Sequence, residues 1–325
     1  MGSDQMPTID REDIHIIARN SNWKEEEVAK ALKENVYNNP ASWKLFLRLI
    51  LLALGVSFTL AGIIFFFAYN WADLHKFAKM GIIEGLIVMA IMIVLFSKLS
   101  NIIKNIILTG TSVLVGVLFA VYGQVYQTGA NDYDFFLGWL VFITLWVMVS
   151  NFSPFWLVWL TLVNTTFVLY TQQVAKGWSE ILVLTILFGF NAIILMASLQ
   201  IPRYQEDLHI PVWFTNTLAM AVVTFSTIGI CVGIFGHYEP SLLWLIILSA
   251  IAYAAGIKYG LDNKRAFYLS IIPFSLIIII SAKLIEISSG EWMFLLVSLF
   301  VVASVTFLVM KLIGFQKKWA HETGK

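Results

Sequence analysis

An all-α, polytopic membrane bundle of about ten transmembrane helices is the fold class that three features of this 325-residue sequence predict. Hydrophobic residues make up 59% of it and charged residues only 13%. Its mean hydropathy is +0.81, well outside the range of soluble globular chains. From Lys44 onward the apolar residues fall into ten runs separated by short polar breaks, whereas the first 44 residues are hydrophilic. Three parts follow: an N-terminal helical unit over 1–44, a transmembrane domain over 45–315 and a tail over 316–325.

In the N-terminal unit, Ile14, Ile17 and Ala18 share one side of a first helix, and Trp23, Val28, Ala31 and Leu32 recur at helical spacing in a second. Ser21 or Asn22 is expected to cap the second helix, whose acidic first turn and later lysines suit its dipole. The ten runs cover 46–70, 77–97, 103–126, 134–150, 154–172, 179–199, 213–236, 240–257, 265–285 and 292–313. A helix crosses hydrocarbon with about 17–25 residues, so the fourth and eighth runs are the short ones. Backbone amides in lipid must pair internally, and runs of this length without strand-like alternation must therefore be helical.

Charge placement sets the orientation. With the N-terminus in the cytosol, 12 Lys and Arg residues fall at inner loops and ends, against 4 in outer loops. That asymmetry favours both termini on the cytosolic side. The formal net charge of +1 leaves no basic surface for nucleic acid. The single cysteine, Cys231, excludes an intramolecular disulfide and a cysteine-based zinc cluster. His237 beside Glu239 is too poor a ligand set to imply a metal site. No Walker A, nucleophile-elbow, HExxH or dinucleotide glycine pattern occurs, so the sequence leans away from an enzyme and implies no cofactor.

The polar residues inside or beside the spans carry the functional expectations. Glu84 lies about 12 Å along the second span, where a carboxylate needs a partner, a hydrated cavity or a proton. Asn70 and Gln124 fall at comparable depth, so Asn70, Glu84 and Gln124 are expected to cluster in the bundle interior, with Trp71 and Tyr126 beside them. Asp73, Asp132 and Asp134 give the same outer face an acidic loop, and as loop aspartates they read more readily as turn residues than as a catalytic set. Asn164, Thr165, Thr166 and Asn191 are expected to join helices.

Ala68, Asn70 and Trp71 form "A-x-N-W" at the end of the first span, and Gly123, Gln124, Val125 and Tyr126 form "G-Q-[IV]-Y" at the end of the third; an acidic turn and Trp139 follow. In this order and spacing the motifs resemble the bacterial membrane family called domain of unknown function 2157, over about residues 10–170. Gln127 stands where the resemblance implies a histidine. The family implies location and architecture but no activity. Two readings stay open: a protein that binds or transports a small solute through an outward polar site, and a non-catalytic scaffold that docks a membrane or envelope partner.

The orientation has a direct test. In a Cys231→Ala background, a cysteine at Ala130 should react with an impermeant maleimide in intact spheroplasts, and a cysteine at Asn20 only after permeabilisation. The reverse pattern would invert the topology.

Overall fold

The computed structural model describes residues 14, 17–18, 21, 23–35, 40–70, 72, 74–127, 129–204, 210–236, 239–287, 290 and 292–323. Among them are eleven helices: α1 (Glu25–Asn35), α2 (Pro40–Tyr69), α3 (Lys76–Phe96), α4 (Asn101–Tyr126), α5 (Asp132–Ser150), α6 (Ser153–Gln173), α7 (Glu180–Tyr204), α8 (Val212–Phe235), α9 (Pro240–Asp262), α10 (Ala266–Ile287) and α11 (Trp292–Thr323). The ten from α2 to α11 are long and apolar enough to cross a membrane. All ten expected runs therefore lie in helices. The fourth occupies 19 residues, and the eighth runs to Asp262 rather than ending at residue 257. Lys258 and Asp262 extend the eighth because a charged side chain near a helix end can reach the interface without breaking the backbone ladder.

Sequence-local chemistry sets the boundaries. The cap expected at Ser21 or Asn22 is not where α1 starts. The helix begins at Glu25, after Lys24, whose N–H donates to Glu27 Oε2 at 2.9 Å, while Glu27 N–H returns to the Lys24 carbonyl, also at 2.9 Å. Glu27 thus supplies the reciprocal bond of a capping box in the later register. Asn22 lies outside the described residues, as does most of the expected first helix. Prolines open α6 and α9, where a missing N–H costs nothing. At the start of α5, Asn131 N–H donates to Asp134 Oδ2 at 3.2 Å and Asp134 N–H returns to the Asn131 carbonyl at 3.1 Å. Inside the spans, serine and threonine hydroxyls fold back on their own helix, as Thr111 does on the Ile107 carbonyl at 2.8 Å.

The chain divides into two compact units, one of Met1–Leu114 with Lys317–Lys325 and one of Val115–Gln316. In the first, α3 buries Lys79, Ile83 and Ile87, spaced four residues apart along one stripe. In the second, α5 and α6 pack as a hairpin, and α8 lies against α6, α7, α9 and α10. That central position explains why ten α8 residues are buried, from Phe214 to Gly233. Its glycines admit the neighbours: a Cβ on Gly229 would stand 2.5 Å from Leu245 Cδ2 of α9 and 3.3 Å from Leu184 Cβ of α7. With no water to expel between helices in lipid, close backbone approach of this kind supplies much of the packing energy.

Gly229→Val should therefore lower stability to SDS unfolding by about 1–3 kcal/mol through overpacking. Gly189→Val, on α7 where a Cβ meets nothing within 4 Å, should stay within about 0.5 kcal/mol of wild type. Equal effects would contradict the close packing of α8.

Candidate ligand site

The residues singled out from the sequence separate into several environments. Glu84 is exposed, one position beyond the buried Lys79–Ile83–Ile87 stripe and so turned about 100° from it. Asn70 is half-buried, and its side-chain amide donates to the Phe66 carbonyl of its own helix at 2.9 Å. Gln124 is exposed, and Tyr126, also exposed, stacks on Tyr122 with ring centroids 4.7 Å apart. Asn70 and Glu84 belong to the first unit, Gln124 and Tyr126 to the second. Trp71, Asp73 and His237 lie outside the described residues.

The acidic turn before α5 is organised by a residue that the sequence reading missed. Gln173, at the end of α6, donates through Nε2 to Asp132 Oδ2 at 2.8 Å and accepts the Tyr133 N–H through Oε1 at 3.1 Å. Tyr133 also meets Tyr170 edge-to-face at 5.4 Å. Asp132 and Asp134 are thus engaged with the ends of the α5–α6 hairpin. One amide on the partner helix satisfies both a carboxylate and a free first-turn N–H.

Deeper in the second unit, Asn164 and Asn191 exchange amide bonds at 2.9 and 3.3 Å, and Asn191 Nδ2 also donates to the Leu187 carbonyl at 2.8 Å. These two residues join α6 to α7. A second network links three helices. Ser226 of α8 donates to Ser249 of α9 at 2.7 Å; Tyr253 of α9 donates to Ser226 at 3.1 Å and lies 2.7 Å from Ser275 of α10; Ser275 in turn lies 2.6 Å from Thr227 of α8. All five residues are buried. Thr227 donates to its own Val223 carbonyl at 2.6 Å, so the one Ser275 proton serves either Thr227 or Tyr253. Isolated serines in a hydrophobic run look like ordinary helix residues. Only the register of three separate spans brings these five to one level.

Two cavities adjoin this network. The first, of about 540 Å³, is bounded by α7–α10 toward the end where residues 263–265 connect α9 to α10; Gln200, Lys258, Tyr259, Asp262, Asn263 and Tyr268 are its polar lining. The second, of about 580 Å³, extends toward the opposite ends of α8–α10, past Ile246 and Leu242 to Lys283. Tyr253 lines both. In the first, Tyr268 is only 4% exposed and its hydroxyl has no hydrogen-bond partner among the described residues. Thr215, whose Oγ1 donates to the Val212 carbonyl at 2.9 Å, lies near that hydroxyl. A third hollow, of about 1120 Å³ between α8, α10 and α11, is almost wholly apolar.

Ten apolar helices, interhelical polar pairs and near-continuous apolar outer surfaces define a polytopic helical membrane protein. More particularly, residues 19–156 match the family model described as "Predicted membrane protein (DUF2157)", the family that the Asn70–Trp71 and Gly123–Tyr126 motifs resemble. No curated protein and no solved structure matches the chain.

The Tyr253 network predicts a specific stability effect. Tyr253→Phe removes the hydroxyl that links Ser226 to Ser275 and should cost about 1 kcal/mol in SDS unfolding, while Tyr122→Phe, at an exposed ring, should cost less than about 0.5 kcal/mol. Equal costs would mean that the network contributes no stability.

Proposed function

We propose that this protein binds a small solute and passes it across a bacterial cytoplasmic membrane, by a path through α7–α10. The observation that carries the reading is the position of Tyr253: two cavities extending toward opposite ends share it, and its hydroxyl is tied to α8 and α10 at the level between them. Half-paths that meet at a small polar closure suit alternating access, in which the central site opens to one side at a time. With both termini in the cytosol, as the Lys and Arg asymmetry supports, the larger polar lining at Lys258 and Asp262 faces the cytosol. Breaking the hydroxyl chain in favour of bonds to solute is the exchange that would open the path.

A second reading rests on Glu84. A carboxylate exposed on a span is costly in lipid unless something covers it. The most apolar stretches of α2 and α11 bury no residue, which also suits contact with another membrane protein. In that reading Glu84 meets an envelope partner rather than an enclosed solute.

Cysteine accessibility separates the two. In a Cys231→Ala background, Ala252→Cys on the α9 cavity wall should react with a charged methanethiosulfonate added from the cytosolic side, while Ala254→Cys, exposed and outside the cavity lining, should not. An unreactive Ala252→Cys in both right-side-out and inverted vesicles would remove the hydrated cavity and leave the partner reading.

A further inference from the structure

We propose that residues 274–287 of α10 are a gate that swings at Pro273 to open and close the second cavity, while the part of α10 before Pro273 stays locked to α9. The gate rests on the reading of α7–α10 as a solute path and gives that path its moving part.

Pro273 supplies the hinge. It stands inside α10, where it has no amide proton for the Leu269 carbonyl four residues back and its ring crowds that carbonyl. The backbone ladder is weakest there, and sharp bends in helices concentrate at such residues. Its level is also the boundary between the two cavities. Tyr268, Ile271 and Ile272 before it line the first, whereas Leu276, Ile279, Ile280 and Lys283 after it line the second. Two residues on, Ser275 meets Thr227 of α8 and Tyr253 of α9, so the pivot is pinned to both neighbours.

The two parts of α10 are held differently. Before the hinge, a Cβ on Gly256 of α9 would stand 2.7 Å from Ile272 Cδ1, and one on Gly260 would stand 3.0 Å from Leu269 Cδ2. Two close contacts one turn apart therefore lock this part to α9. Past the hinge no such glycine contact to α9 occurs among the described residues, and the second cavity separates α10 from Leu242 and Ile246. Ile279 still packs on the cluster of Val222, Ile230 and Leu245, but an apolar contact of this kind can part in lipid without exposing itself to water. Room for the movement lies on the other side of α10. The hollow of about 1120 Å³ stands between Phe274 and Ile278 and the α11 wall, and a smaller one of about 350 Å³ lies between Pro273 and Ile277 and the α11 residues Ala303, Ser304 and Phe307. From Phe274 to Ile285 the helix runs about 17 Å, so a bend of about 20° carries its far end by about 6 Å.

Double electron–electron resonance on the full chain in bilayers measures the swing. In a Cys231→Ala background, nitroxides at Leu137→Cys on α5 and Ile285→Cys past the hinge, both exposed positions, should give two distance components up to about 6 Å apart. Nitroxides at Val149→Cys and Arg265→Cys, exposed and before the hinge, should give one. Pro273→Ala restores the amide bond to Leu269 and should merge the two components into one, with the SDS-unfolding midpoint unchanged or higher. A single component from Leu137 and Ile285 in the wild-type helix, two components that survive Pro273→Ala, or equal breadth from both pairs would overturn the proposal. If Ala252→Cys still labels in that case, the path stands without this gate. If the hinge moves and Ala252→Cys does not label, the path reading fails and the gate fails with it, leaving only a bend in α10.

Discussion

In hydrocarbon a hydroxyl has no water to return to, and the level of Ser226, Ser249, Tyr253, Ser275 and Thr227 is where the second unit meets that constraint. Each serine or threonine hydroxyl could satisfy itself on its own helix, as Thr227 does. Yet four of the five reach across to a neighbouring span. The consequence is register: sliding α9 or α10 by one residue relative to α8 rotates these side chains out of line and strands several polar groups at once. Leucine and isoleucine surfaces slide more freely, since lipid is as apolar as they are. The small residues at the α8 contacts then set how closely the helices approach, and the hydroxyls set where along their axes they stop.

That arrangement also decides where space is left. Tyr253 stands at the level of the network, and the two cavities that it lines extend from there toward opposite ends of the helices. Polar groups concentrate at the Asp262 end because α9 continues past the apolar run, carrying Lys258 and Asp262 on a regular helix instead of in a loop. A site with apolar depth and a charged mouth arises from helix length, with no special motif. The α5–α6 hairpin uses the same economy at its own end, where Gln173 alone binds Asp132 and the Tyr133 amide.

Much of this fold is legible in the sequence and little of the site is. Span number and helical class follow from run length and hydropathy, because hydrocarbon permits so few alternatives. The Asn164–Asn191 pair is also readable, since buried amides in successive spans have few other partners. The serine network is not, because a serine in an apolar helix can always bond its own i−4 carbonyl, and nothing local marks Ser226 as different from Ser57, which does so. For Glu84 the sequence gives depth along the helix by counting, whereas the facing direction is set by the buried stripe, and Glu84 stands one residue beyond it. The eighth run ends later than expected because Lys258 and Asp262 read as a loop by charge although they continue the helix.

The central claim is that the Tyr253 hydroxyl chain couples α8, α9 and α10 as one unit. A double-mutant cycle on Ser226→Ala and Tyr253→Phe, followed by SDS unfolding in mixed micelles, measures that coupling without reference to any ligand. A coupling energy of about 0.5–1.7 kcal/mol is the expected result. Strict additivity, with coupling below about 0.3 kcal/mol, would contradict it.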